Sequence, residues 1–149
     1  MDAAVDLATQ FDLTPDQRAI KEMAAAFAAD RIAPNALDWD KRHHFPADVV
    51  RETGPLGLGG IYVREDMGGS GLGRMDAVLV FEALSAACPG FAAFVSIHNM
   101  VAWMIDQFGS EEQRARFVPK LTSMEWLASY CLTEPGSGSD AAALKTKAV

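Results

Sequence analysis

Three hydroxyls and two glycines stand together in Thr133-Glu134-Pro135-Gly136-Ser137-Gly138-Ser139-Asp140, directly behind the mixed aromatic and aliphatic run Trp126–Thr133. Such a run reads as a strand, and a Gly/Ser turn at its end exposes backbone N–H groups beside side-chain donors. Successive N–H groups in a nest of this kind hold anionic or carbonyl oxygens. On the residues alone two readings stay open. Gly136-Ser137-Gly138-Ser139-Asp140-Ala141 fits the spacing of a dinucleotide fingerprint, which also requires a long helix, a strand and an acidic residue about twenty positions on. The same residues also make a plain turn between two strands, the reading favoured on the residues alone.

Other candidates carry less. Met67–Gly73 is glycine-rich but lacks the Gly-Lys-Ser/Thr ending of a phosphate loop, so it reads as a structural turn. Ser96, Asn99 and Met100 share a helix face by their spacing, with Trp103 one turn further. Polar groups there either bond within the core or line a cavity. His98 points elsewhere and has no second ligand four residues on, so no metal is expected. His43 and His44 fall in a polar link and read as solvated. Cys88 and Cys131 have neither a disulfide framework nor metal-ligand spacing and suit a reducing compartment. No Ser/His/Asp set and no carboxylate pair can be assembled.

The elements that must position these residues are mainly helices. Thr14-Pro15-Asp16-Gln17 is a helix start with a capping box, and Ile20, Met23, Ala24, Phe27 and Ile32 give the apolar stripe, which Pro34 interrupts. A polar stretch over 40–44 leads to a second start at Phe45-Pro46 and a short helix to about Thr53. Gly57 to Gly73 reads as loop, with a short extended piece at Ile61–Val63. Arg74–Ala87 and Phe91–Phe108 have almost no polar face and are expected at the centre of a helical domain. Ser110-Glu111-Glu112-Gln113 is another capping box, opening a helix to about Leu121. Trp126–Thr133 is the expected strand, and Thr146–Val149 could open a second. The expectation is a mainly α chain: a helical domain over 1–126, then the first strands of a β domain over 127–149 that breaks off before a sheet is complete.

The 149 residues are half hydrophobic and 22% charged, which supports a packed core, and their net charge is −7. Without a cluster of Lys and Arg, neither nucleic acid nor an anionic membrane is an expected partner. The start is acidic, with no apolar signal core or Arg-rich transit pattern, and apolar runs such as Ala77–Phe81 are too short to span a bilayer. These features favour a cytoplasmic protein of a bacterium over a mitochondrial-matrix one.

At Tyr130–Asp140 the sequence closely resembles the first signature of the acyl-CoA dehydrogenase family. That signature has a small residue, an aliphatic, Ser/Thr, Glu, then Gly-Ser/Thr-Asp after a short spacer, and every position fits. The similarity runs through Ala33-Pro34-Asn35, Phe45-Pro46, Gly57–Gly60, Gly68–Gly71 and Phe108–Gln113. Ser96–Met100 together with Trp103–Asp106 is most similar to the branch acting on isobutyryl-CoA.

The resemblance implies a helical domain, a middle β-barrel-like domain and a carboxy-terminal four-helix bundle. It implies FAD as cofactor, with Tyr130, Cys131, Leu132 and Thr133 against the isoalloxazine ring and Thr133 bonding its pyrimidine edge. Gly138 and Ser139 would reach the FAD pyrophosphate, and Ser139 also the CoA portion of the substrate. Ser96 and Met100 match positions at the acyl end of the cavity. The reaction would be α,β-dehydrogenation of an acyl-CoA thioester, the β hydride passing to the flavin and the α proton to a Glu. That base is expected beyond Val149, so no residue here is assigned as catalytic, and Glu134 is given a structural role. Electron-transferring flavoprotein is the implied acceptor, a homotetramer the implied assembly, and branched-chain or fatty acid catabolism the setting. Rival readings are another short-chain or 2-methylacyl-CoA dehydrogenase, an oxidase of the same fold, or a non-catalytic helical module.

Overall fold

A computed structural model describes residues 12–147. Helix α1 (Pro15–Phe27) starts where the sequence places it. The Thr14 hydroxyl accepts the Gln17 N–H at 3.1 Å and the Gln17 side chain accepts the Thr14 N–H at 3.1 Å. The helix runs on as a π-helical turn, Ala28–Ile32, which buries Ile32 and closes with the Ala33 N–H on the Ala28 carbonyl at 2.9 Å. Pro34 sits in the turn that follows. The polar link is partly helical: α2 (Ala36–Lys41) precedes His43 and His44, both exposed, and α3 (Ala47–Arg51) follows Phe45-Pro46.

The glycine-rich segment contains no extended piece at Ile61–Val63. These residues turn, and the loop bonds back on itself: the N–H groups of Ser70, Leu72 and Gly71 donate to the carbonyls of Gly60, Ile61 and Val63 at 2.9, 2.8 and 2.9 Å. Glycine is required at two of its close approaches. A Cβ at Gly59 would lie 2.3 Å from the Thr122 carbonyl oxygen, and one at Gly69 2.1 Å from that of Val63.

Helices α4 (Arg74–Ala87) and α5 (Pro89–Phe108) are joined at Cys88, where Pro89 supplies a first helical residue without an N–H to satisfy. The Asp76 carboxylate caps α4 by accepting the Gly73 N–H at 2.9 Å. Helix α6 (Glu111–Thr122) opens on the Ser110 box, with bonds of 3.2 and 2.8 Å. Helix α1 packs on α4, α4 on α5, and α5 on α6. Ile32, Val50, Leu58, Ile61, Val80, Leu84, Val95 and Met124 fill the core between them. The two apolar helices are central, as expected, yet not covered all round: Val78 is 56% and Phe108 78% exposed. The described residues supply nothing to lie over those faces.

After α6 the strand expected over Trp126–Thr133 forms no ladder. Among the described residues the single bridge is antiparallel, between Glu134 and Ser137 across one tight turn. A strand exists by pairing its N–H and C=O groups with a neighbour, and this segment meets none. A short 3-10 turn, Ala141–Ala143, follows. Of the second expected strand, Thr146 instead donates to Glu134, and Ala148 and Val149 lie outside the described residues.

Candidate functional site

The signature segment is anchored before it is free. Met124, fully buried at φ 60°, reverses the chain after α6, and the Trp126 N–H donates to the Lys120 carbonyl at 2.9 Å. Leu127 packs on the core, and the Ala128 N–H donates to Nδ1 of His98 at 3.1 Å. Beyond Ala128 the chain moves to the surface. Tyr130 is 37% exposed, Cys131 and Thr133 are exposed, and Leu132 is half-buried.

The turn itself is built by Glu134 and Ser137. Their backbones exchange N–H···O bonds of 3.0 and 2.9 Å, and the buried Ser137 hydroxyl donates to the Asp140 carbonyl at 2.6 Å. Ser137 therefore has no donor left for an external anion. Gly138 and Ser139 are exposed, and their N–H groups take no acceptor among the described residues. No atom lies within 4 Å of where a Cβ would stand at Gly136 or Gly138. Open space beside these donors fits a phosphate group, and Tyr130, Cys131 and Thr133 are exposed in the segment that leads to it.

The Glu134 carboxylate accepts the N–H groups of Lys145 and Thr146 and the Thr146 hydroxyl. The Thr146 hydroxyl first, then the Lys145 N–H, hold its carboxyl below the usual range. An acceptor so occupied folds the loop and is not poised to take a proton from a substrate.

On α5 the residues grouped by spacing separate. Asn99 is fully buried and spends its amide on the glycine-rich loop. Its oxygen accepts the Ile61 N–H at 2.7 Å, and its nitrogen donates to the carbonyls of Leu58 and Val95 at 2.7 and 2.9 Å. Ser96 and Met100 stay half-buried one turn apart, with no hydrogen bond from Ser96 to the 130–139 loop among the described residues. Trp103 packs edge-on against Phe108, ring centres 5.8 Å apart, and the Arg74 guanidinium lies 5.3 Å from its ring and 4.0 Å from that of Tyr62.

Two residues prove buried and bonded in a way the sequence did not indicate: His98, there only denied a metal role, and Asp106. His98, fully buried, donates from Nε2 to the Leu121 carbonyl at 3.0 Å while Nδ1 accepts from Ala128. These partners fix the neutral tautomer, since a carbonyl only accepts and an amide N–H only donates. Burial pushes its pKa down, against the raising effect of the Leu121 and Gly59 carbonyls. Asp106 is 1% exposed, and burial opposes its charge. The guanidinium groups of Arg64 and Arg114 outweigh that and hold its carboxyl below the usual range. Arg114 meets Asp106 at 2.9 Å, Asp66 at 3.0 Å and Glu111 at 2.8 Å, so one cluster joins α5, α6 and the glycine-rich loop. The signal in sequence was a lone acid in an otherwise uncharged helix.

An open groove of about 550 Å³ lies between α2 and the start of α5, lined by Trp39, His43, His44, Phe45, Cys88 and Phe91, and holds none of the expected site residues. Among the described residues no group of three or more His, Cys, Asp or Glu could hold a metal ion. No described helix is long and apolar enough to cross a membrane. Cys88 and Cys131 are free thiols.

The "Acyl-CoA dehydrogenase, N-terminal domain" family matches residues 14–125. Isobutyryl-CoA dehydrogenase, mitochondrial, of Dictyostelium discoideum is 59% identical over 136 residues, 91% of this chain and 33% of that protein. The protein of the same name from Bos taurus is 53% identical over 92% of this chain and 33% of its own length. The crystal structure of acyl-CoA dehydrogenase complexed with FAD from Bacillus anthracis superposes with a TM-score of 0.79. It is 36% identical and covers 90% of this chain and 23% of that one. The chain thus spans about a third of the length of the curated relatives it matches, 33% in each case.

Proposed function

The chain belongs to the acyl-CoA dehydrogenase family, and from that premise we propose that the whole protein is an FAD-dependent dehydrogenase of a short branched acyl-CoA, isobutyryl-CoA first. Residues 127–149 then begin a middle β domain, and 1–126 form the helical domain beside it. The observation that carries the reading is the turn at Glu134–Ser139: N–H donors at Gly138 and Ser139 that take no acceptor among the described residues, and open space at Gly136 and Gly138, at the end of the anchored and largely exposed Tyr130–Thr133 segment. FAD, when bound, supplies the two-electron acceptor for α,β-dehydrogenation of the thioester.

The chain's own residues bind and orient. Gly138 and Ser139 offer backbone N–H groups to the pyrophosphate, and the Ser139 hydroxyl is close enough in sequence to serve the CoA portion as well. Tyr130, Cys131 and Leu132 give the flavin ring a surface that excludes water, and the Thr133 hydroxyl bonds its pyrimidine edge. Ser96 and Met100 border the acyl end, where the thioether shortens the space and favours a short branched chain. One methylene in such a pocket discriminates by only about 1–3 kcal/mol, so neighbouring short substrates should react too. The α proton goes to a Glu outside residues 1–149. Electron-transferring flavoprotein as oxidant, a homotetramer, and a reducing compartment suited to the free thiols complete the reading.

The test is an anaerobic titration of the full-length gene product with isobutyryl-CoA, followed by flavin absorbance. Stoichiometric bleaching stronger than with butyryl-CoA or 2-methylbutyryl-CoA is expected. Bleaching by another acyl chain alone would overturn the substrate, and a colourless protein that takes up no FAD would overturn the enzyme.

A further inference from the structure

His98 is a fully buried polar residue to which the proposed reaction gives no part. Its ring nevertheless joins three pieces of chain. It rises from α5, donates through Nε2 to the last turn of α6 at Leu121, and accepts through Nδ1 from Ala128. The Ala128 N–H is the last backbone group before Tyr130 that the helical domain holds. From Ser129 to Thr133 no backbone hydrogen bond to the helices follows among the described residues. Both hydrogen bonds are to backbone, through the two nitrogens of one rigid ring that also meets the Gly59 carbonyl, so the ring fixes where the chain passes, whatever side chains it carries.

We infer that His98 is the positioning residue for the flavin-side segment: its Nδ1 sets the point and direction at which Tyr130–Thr133 leaves the helical domain. This rests on the FAD reading above. Leu127 holds the same stretch by apolar packing, which is non-directional. The Ala128 N–H bond is directional, and without an acceptor that N–H must turn toward water and take the segment with it. The ligand-facing residues begin two positions later, so a small rotation at Ala128 is carried straight into them. Ser96 and Met100 are two positions away along α5 and do not share the face of His98. The acyl end should therefore be touched less than the flavin side.

Two substitutions in the full-length holoenzyme divide the ring's two bonds. In His98→Asn the amide oxygen keeps an acceptor near the place of Nδ1 and the Leu121 carbonyl loses its donor. In His98→Gln the donor to Leu121 is kept and the Ala128 N–H loses its acceptor. Both should lower Tm. Only His98→Gln should weaken FAD binding, by about tenfold, and shift the visible flavin bands, with KM for the acyl-CoA little changed. Ala128→Pro, which removes the donor and leaves His98 intact, should reproduce the flavin effect even if His98→Gln does not fold. Equal FAD affinity and equal spectra in both His98 variants, or a larger flavin effect in His98→Asn, would overturn the inference. A wild-type protein that takes up no FAD would instead overturn the reading on which it rests.

Discussion

Asp106 is the one Asp, Glu, Lys or Arg in α5, and its side chain is fully buried between Arg64 and Arg114. Removing a buried charge costs about 3–5 kcal/mol when its partner is left uncompensated; here Arg114 keeps Asp66 and Glu111, so the cost is smaller and comes from the Arg64 and Arg114 donors that lose their acceptor. Asp106→Leu should therefore lower the urea midpoint of the full-length protein. Glu111→Gln removes a partner of the same Arg114 whose side chain is 81% exposed. Exposed pairs contribute about 0–1 kcal/mol, so that midpoint should barely move. Equal effects would mean that burial does not set the strength of this cluster. His98 makes a prediction in pH. An unfolded imidazole titrates near 6.5, and burial holds the folded one below that. Above pH 6.5 both states are neutral, so the stability His98 contributes is complete there. As pH falls below it, the unfolded chain takes up the proton first and the native state loses stability until the folded pKa is reached. Unfolding midpoints between pH 7.5 and pH 5 should fall more steeply in the wild type than in His98→Asn.

At the scale of elements, the glycine-rich loop is held by its backbone. Asn99 clamps it from α5, and Gly59 lets it touch the end of α6. A methyl group at Gly59 would lie 2.3 Å from the Thr122 carbonyl oxygen and 3.0 Å from that of Leu121. Gly59→Ala should force the two apart, costing about 1–3 kcal/mol as overpacking does. The Leu121 carbonyl is also the acceptor for His98, so flavin absorbance should report the same substitution. A Gly59→Ala protein with unchanged Tm and spectrum would show that the loop yields freely. Helix starts are the elements that sequence alone places best here. Thr14/Gln17 and Ser110/Gln113 satisfy each other within four residues, so nothing distant can alter them. The strand over 126–133 is the opposite case. Its composition marks it, but a strand exists only by pairing with a neighbour, and among the described residues it meets none.

For the whole molecule, the exposed apolar residues on α4 and α5 are the most telling feature. Phe108, Val78 and Met75 are each at least half exposed on helices that otherwise form the core. Covering such surface is worth about 25 cal/mol per Å². The proposed flavin site is likewise one-sided, with Tyr130–Thr133 facing outward and the free donors confined to one turn. The 149-residue chain alone should therefore bind FAD at least about a hundredfold more weakly than the full-length protein, a loss of roughly 2.7 kcal/mol. Fluorescence quenching of FAD titrated with each protein measures this. A tight stoichiometric yellow complex of the short chain would show that the missing contacts are not needed.

Sequence by itself determined the family, the α-helices other than α2 and the signature turn, because each is written in neighbouring residues: caps, apolar stripes, and glycines beside hydroxyls. It also placed Glu134 in a structural role, and that carboxylate does hold the loop through Thr146 and Lys145. Only the tertiary structure decided which polar residues of α5 are spent inside the core. Asn99 and Ser96 looked alike by spacing, yet Asn99 bonds loop residues 38 and 41 positions away while Ser96 does not. His98 and Asp106 likewise found their partners across the fold. A helical period tells which residues share a face, and only the folded chain supplies the donors and acceptors that face meets.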